Sequence, residues 1–218
     1  MKKNKKTVAI IPIKSLSKRV KNKNFKIIGG KPLFRYLLDK LKYTNFDEVY
    51  VDSDSKEIEK YCKQNNYKFI HRLPKLAMDN ANGNDLLNYH AKIINADIYF
   101  QLYVTAPLLK NKTINNCIEI LKSEKHYDSI LTIKKIYSWF WFNGKPTNYN
   151  PKILPRSQDA EPIIQESTGL YGIKREALIR RKCRIGFKPF FYEIHNKESV
   201  DLDTNEDFKY LNYLFKKK

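Results

Sequence analysis

Two short stretches of this 218-residue chain concentrate side chains suited to handling phosphate. The first, 12–24, gathers Lys14, Lys18, Arg19, Lys21 and Lys23 around Ser15 and Ser17. Phosphate oxygens are satisfied by charge-assisted hydrogen bonds, and a triphosphate needs several such donors. The stretch contains neither GxxxxGK[ST] nor GxGxxG, which disfavours a Walker-type loop and a dinucleotide fingerprint. By charge alone it equally fits a solvated basic loop. The second stretch, 199–207, holds Asp201 and Asp203 in a segment that reads as extended. Residues i and i+2 of extended chain point to one side. Two carboxylates there suit Mg²⁺, which keeps room for water and substrate phosphates. The same acidic residues also suit the start of a following helix.

Both stretches need a scaffold, and the hydrophobic pattern supplies one. Short apolar or alternating runs predict strands at 7–12, 47–51, 67–71, 98–104, 129–136, 169–173 and 190–194. Helical spacing predicts helices from Pro32 through Leu41, at 53–65, 85–94 and 113–121, a short one to about Arg180, and 203–215 capped by Asp203 or Thr204. This alternation implies a single α/β domain over 1–218, with a mostly parallel sheet covered by helices on both faces. Ligands of such sheets lie outside the carboxyl ends of the strands, so the loops after Pro12, His71, Val104 and Ile136 are expected to wall the site. The stretch 137–166 breaks the alternation. Its consecutive Trp139, Phe140, Trp141 and Phe142 fit either core or a patch that meets another subunit.

The net charge of +19 is spread along the chain and gathered at its ends, with no basic stripe interleaved with aromatics. A nucleic-acid groove is not required. No apolar run approaches the roughly 20 residues that span a bilayer. Cys62, Cys117 and Cys183 form no CxxC pair and no zinc pattern, and they fit free thiols in a reducing, cytoplasmic compartment.

Taken in order, the motifs resemble one family. The 12–24 loop leads into Gly30-Lys31-Pro32-Leu33, and Val49-Tyr-Val-Asp-Ser-Asp54 follows. Next come Arg72 with Leu76-Ala-Met-Asp79 and Asn82-Gly-Asn-Asp85, then Thr105-Ala-Pro-Leu108. Thr168-Gly-Leu-Tyr-Gly172 and Ser199-Val-Asp-Leu-Asp-Thr204 complete the series. The chain is similar from about residue 7 to 215 to the CMP-sugar synthetases, which include acylneuraminate cytidylyltransferases and CMP-Kdo synthetases.

The resemblance implies a Rossmann-like nucleotidyltransferase fold with a dimerisation arm at 137–166 and a homodimer with shared sites. It also implies transfer of CMP from CTP to the anomeric hydroxyl of an acidic, sialic acid-like 2-keto sugar. Lys14, Lys18 and Lys23 would be catalytic, with Lys18 acting on the charge at the transferred phosphorus. Ser17, Arg19, Asn24, Arg72, Asn80, Asn82 and Gly83 would join these lysines in holding the nucleotide. Tyr103, Arg156, Gln165 and Thr168 would line the sugar, and Asp201 and Asp203 would hold Mg²⁺. Some positions depart from the family pattern. Ser15 and Leu16 stand where it has glycines, restricting close backbone approach, and Lys14 replaces an arginine. Glu166 stands where sialic acid enzymes carry an arginine, so Arg156 or Arg175 would have to take the sugar carboxylate. Another sugar or polyol acceptor, or an inactive nucleotide-binding relative, are the alternatives.

Overall fold

The computed structural model describes residues 5–17 and 20–216. Its strands are β1 (Thr7–Ile13), β2 (Ile27–Ile28), β3 (Lys31–Pro32), β4 (Glu48–Ser53), β5 (Lys68–His71), β6 (Ile98–Leu102), β7 (Ser129–Ile136), β8 (Trp141–Phe142), β9 (Lys145–Pro146), β10 (Ile163–Lys174) and β11 (Pro189–Glu193). Its helices are α1 (Leu33–Leu41), α2 (Lys56–Asn65), α3 (Pro74–Ala77), α4 (Gly83–Ile93), α5 (Asn111–Ser123), α6 (Arg175–Arg181) and α7 (Asn205–Lys216).

Seven strands form the central sheet in the order β11-β7-β10-β6-β1-β4-β5. The pairings β6–β1, β1–β4, β4–β5 and β11–β7 are parallel, while β10 runs antiparallel to both β6 and β7. The continuous apolar run of β1 is explained by burial on both faces. Ala9, Ile11 and Ile13 join the cluster built with α1, α2 and α5, and Val8 and Ile10 join the one built with α4 and α6. Both clusters therefore lock β1, and cutting Ile11 to Ala would cost about 2–5 kcal/mol.

A smaller cluster bears directly on the site. Val20, Ile28, Leu33 and Tyr36 pack with Leu202 and Leu211, tying the loop after β1 to the segment before α7. The β2–β3 hairpin contributes Ile28 and turns through Gly29 and Gly30, both at positive φ. A Cβ on Gly29 would meet Phe215 Cβ at 2.8 Å, so only glycine lets α7 come this close.

Several elements differ from the sequence pattern: α2 starts at Lys56 rather than 53, β2, β3, α3, β8 and β9 are additional, and β10 and α7 have different starts. β10 begins at Ile163, well before the expected 169, because pairing with β7 from Ile163↔Ile136 extends it past a register shift between Glu166 and Tyr171. α7 starts at Asn205, after Thr204. The Asp207 carboxylate accepts from the amides of Asp203 (3.0 Å) and Thr204 (2.8 Å), and Thr204 Oγ1 accepts from Asp207 N (3.1 Å).

Within 137–166, Asn143 and Gly144, both at positive φ, turn the β8–β9 hairpin. Asn148 braces it, accepting from Phe140 N (2.9 Å) and donating to the carbonyls of Ser138 (2.7 Å) and Glu161 (2.6 Å). Trp141 is 59% and Phe142 72% exposed in the single chain, so these rings are not core. Among the described residues, no helix is long and apolar enough to cross a membrane.

Candidate active site

A cavity of about 430 Å³ opens at the carboxyl ends of β1, β5 and β6, where Pro12, Arg72 and Tyr103 emerge. Antiparallel β10 enters the sheet at this end and brings Thr168 to the same wall.

The loop after β1 supplies Lys14, Lys23 and Asn24 to the lining. Its start is fixed by Asp54, which accepts from Ser15 N (2.7 Å) and Ser15 Oγ (2.6 Å). Burial pushes the Asp54 carboxyl up, but the Ser15 hydrogen bonds together with its own backbone amide and the charge of Arg72 leave the group below its ordinary value. Asn24, buried, donates to Lys14 O (2.9 Å) and closes the loop on itself. Lys14 Nζ lies 2.9 Å from Asp79. Lys23 Nζ reaches Leu202 O (3.0 Å) and Asp203 Oδ1 (2.9 Å). Since Val20 and Leu202 share one apolar cluster, packing and charge together bring the two chemical stretches into contact.

Asp201 faces the cavity beside Asp203, and Thr168 donates its hydroxyl to one Asp201 oxygen. The other oxygen, Oδ1, is buried and has no hydrogen-bond partner among the described residues. An orphaned buried carboxylate oxygen calls for a partner, and hard oxygens of this kind suit a small divalent cation.

Arg72 is buried, yet it lines the cavity. Its Nε donates to the Asp52 carboxylate and its Nη2 to Asp52 O (3.1 Å). Asn82 caps α4 in a capping box with Asp85, accepting from Asn84 N at 2.8 Å while Asp85 accepts from Asn82 N at 2.9 Å. The Asn82 side chain is thereby committed to the helix. Gly83 follows where packing leaves no room for a side chain: a Cβ there would meet Tyr103 OH at 2.6 Å and Arg184 Nη1 at 2.9 Å. Tyr103 OH donates to Gln101 Oε1 (2.7 Å), and Gln101 Nε2 donates to Gly83 O (3.0 Å). Burial pushes the Tyr103 phenol up, against the opposing pull of Arg184.

Of the sequence-predicted residues, Lys14, Lys23, Asn24, Arg72, Asn82, Gly83, Tyr103, Thr168, Asp201 and Asp203 line this one cavity. Lys18 and Arg19 lie outside the described residues. Ser17 and Asn80 stand in the neighbouring loops without reaching the lining. Gln165 is exposed on the first half of β10, and Arg156 is exposed with its Nε 2.6 Å from Asp159, both away from the cavity of their own chain. Two expectations need correction. Arg175 bonds Tyr99 OH and Ile94 O (3.3 Å) by the start of β6, the end of the sheet opposite Tyr103, so it cannot serve this site. The loop after Ile136 contributes nothing to the cavity wall among the described residues, because it turns away into the β8–β9 hairpin.

Sequence reading missed Asp52, His90, Gln101 and Arg184. The first and third carried a signal, being polar residues inside apolar strands, where burial demands a partner. Arg184 carried none, standing among Arg180, Arg181 and Lys182.

Comparison with known proteins matches residues 8–218 to a family model described as cytidylyltransferase. Among curated relatives, N-acylneuraminate cytidylyltransferase A of Danio rerio is 27% identical over 210 residues, covering 92% of this chain and 48% of that protein. CMP-N,N'-diacetyllegionaminic acid synthase of Legionella pneumophila is 27% identical over 218 residues, covering 92% of each. The chain spans about half the length of the first curated relatives it matches. Among solved structures, CMP:2-keto-3-deoxy-manno-octonic acid synthetase complexed with CTP superposes with a TM-score of 0.72 at 18% identity, over 97% of this chain and 99% of the other, which is a likeness of fold. With a sheet of the same Rossmann-like kind and a family match that runs nearly from end to end, this chain belongs to the cytidylyltransferase family.

Proposed function

We propose that this chain transfers CMP from CTP to the anomeric hydroxyl of an acidic 2-keto sugar of the sialic acid kind, with release of pyrophosphate. The observation that carries this reading is one cavity into which the lysines of the β1 loop, Arg72 beside the capped α4 start, and the Asp201–Asp203 pair all converge. The names of the two curated relatives given above, an N-acylneuraminate cytidylyltransferase and a CMP-N,N'-diacetyllegionaminic acid synthase, support the same acceptor class.

In the reaction the sugar hydroxyl oxygen bonds to the α-phosphorus of CTP as the bond to the bridging oxygen of pyrophosphate breaks, and the hydroxyl proton leaves to solvent. Lys14 and Lys23 neutralise the phosphates, and the loop is held ready by Asp54 and Asn24, so little reorganisation accompanies reaction. Arg72 reads the base from a fixed position. Tyr103 and Thr168 orient the acceptor, which turns an encounter into a positioned attack. Asp201 and Asp203 are the residues that would hold Mg²⁺, and the orphaned Asp201 Oδ1 fits it. When bound, that ion neutralises phosphate charge and lowers the pKa of an alcohol.

We further assign to 137–166 the role of a dimer contact, on the exposure of Trp139, Trp141 and Phe142. Arg156 would then face the neighbour's acceptor. A cytoplasmic location fits the free thiols of Cys62, Cys117 and Cys183.

The test is pyrophosphate release with CTP, ATP, GTP or UTP against four acids: N-acetylneuraminic, pseudaminic, N,N'-diacetyllegionaminic and 2-keto-3-deoxy-manno-octonic acid. Selective turnover with CTP and one of these acids is expected. Turnover with none sinks the reading.

A further inference from the structure

Among the described residues, four cationic side chains line the cavity: Lys14, Lys23, Arg72 and Arg184. Three face carboxylates, namely Asp79, Asp203 and Asp52. Arg184 alone has no carboxylate within ion-pair distance among the described residues. Its guanidinium stacks on the Tyr171 ring, 3.7 Å from the centroid, and Nη1 donates to Tyr103 OH at 3.1 Å. An aromatic face and a phenol orient a guanidinium but do not neutralise it.

The backbone around Arg184 is held as firmly as its side chain. Arg184 N donates to Asn84 Oδ1 (2.9 Å), and Asn88 Nδ2 donates to Lys182 O (2.8 Å), so two asparagines of α4 pin the turn after α6. The result is a guanidinium held in place at the cavity wall, whose Nε and Nη2 make no hydrogen bond among the described residues, and such a fork matches a carboxylate in two parallel hydrogen bonds. CTP phosphates have their own donors in the β1 loop. Arg184 instead shares Tyr103 with the β6–β10 wall, on which Thr168 stands.

We infer that Arg184 is the specificity-determining residue that binds the carboxylate of the acceptor, an assignment that rests on the acidic-sugar reading above. It also accounts for a site that works with Glu166 in place of an arginine, since Glu166 accepts from Tyr171 OH at 2.7 Å and so steadies the ring on which Arg184 lies.

The test compares wild type with Arg184→Gln and Arg184→Lys on CTP and the best of the four acids, and on the methyl ester of that acid. Wild type is expected to prefer the acid over its ester. Arg184→Gln should raise the acceptor KM on the order of 10–100-fold with the KM for CTP within about 3-fold, and should no longer discriminate acid from ester. Arg184→Lys should recover part of the preference, keeping charge but losing the fork. A rise confined to the KM for CTP, or no change in either KM, overturns the assignment. If Arg184→Gln fails to fold, wild type decides alone: equal use of acid and ester overturns it. Wild-type inactivity with CTP and every acid instead overturns the reading of the reaction, and this assignment with it.

Discussion

Asp52 holds Arg72 from below, accepting from Nε with its carboxylate and from Nη2 with its backbone carbonyl at 3.1 Å. The second carboxylate oxygen lies 2.7 Å from His90 Nε2. A carboxylate only accepts, so the histidine donates there. Asp52 and His90 are fully buried and Arg72 nearly so. Truncation of Asp52 to Ala would leave a buried, unpaired guanidinium and should cost about 3–5 kcal/mol in urea unfolding. The milder Asp52→Asn should raise the KM for CTP more than it lowers kcat, because Arg72 loses its fixed aim before the fold is lost. Unchanged stability and CTP binding in both variants would show that Arg72 is held by other means.

Asp203 is offered both to Lys23 and to the cation we assign to the site. Asp203→Asn should lower pyrophosphate release by at least about 100-fold with little change in melting temperature. Chelation with EDTA should silence wild type, and Mg²⁺ should restore it. Full activity in metal-free buffer would remove the metal role of the Asp201–Asp203 pair.

The exposed rings of the β8–β9 hairpin predict a mass in light scattering of twice one chain. Trp141→Asp should shift the mass to a single chain and lower activity together. If mass falls and activity stays, the hairpin assembles subunits without completing their sites.

Acid stability should report one surface cluster. The Glu48 carboxyl is held down from an ordinary 4.5 to about 2, first by its hydrogen bond from Lys68 and then by Tyr50 and Lys6. A carboxyl depressed in the folded state stabilises above its unfolded pKa and loses that contribution as pH falls through the folded value. Glu48→Gln should therefore be less stable than wild type at neutral pH, by about 1 kcal/mol because the lysines are half in water. The gap between the two should close as pH falls from 4.5 towards 2. A gap independent of pH would assign the effect to packing.

What could be read in advance follows from how local each cause is. β1 was legible because burial on both faces leaves an unbroken apolar run, and the Thr204 cap of α7, though not the helix start, because Thr204 and Asp207 bond within four residues. The early half of β10 was not, since 163–168 becomes strand only by pairing with β7. Within the site, the β1 loop and the aspartate pair stood out by composition, but by composition alone they equally fitted a solvated basic loop and a helix start, and only the order of the motifs along the chain singled them out. The Asp52–Arg72 contact depends on the register of β4 beside β5, in which Asp52 pairs with Ile70. The place of Arg184 depends on two α4 asparagines nearly a hundred residues earlier, which no periodicity encodes.

The bond from Lys23 to Asp203 joins residues 180 apart, which has a meaning for the order in which the chain is made. All seven strands are complete by Glu193, so a nascent or clipped chain ending there holds the whole sheet, the β1 loop and the Arg72 wall. It lacks both aspartates, and it leaves Val20, Ile28 and Leu33 without the Leu202 and Leu211 that cover them. The stretch after Glu193 is thus the one that covers the apolar floor of the loop and adds the acid pair. A sheet without that stretch would keep the cleft of the β1 loop and Arg72 but lose the carboxylates we assign to the cation.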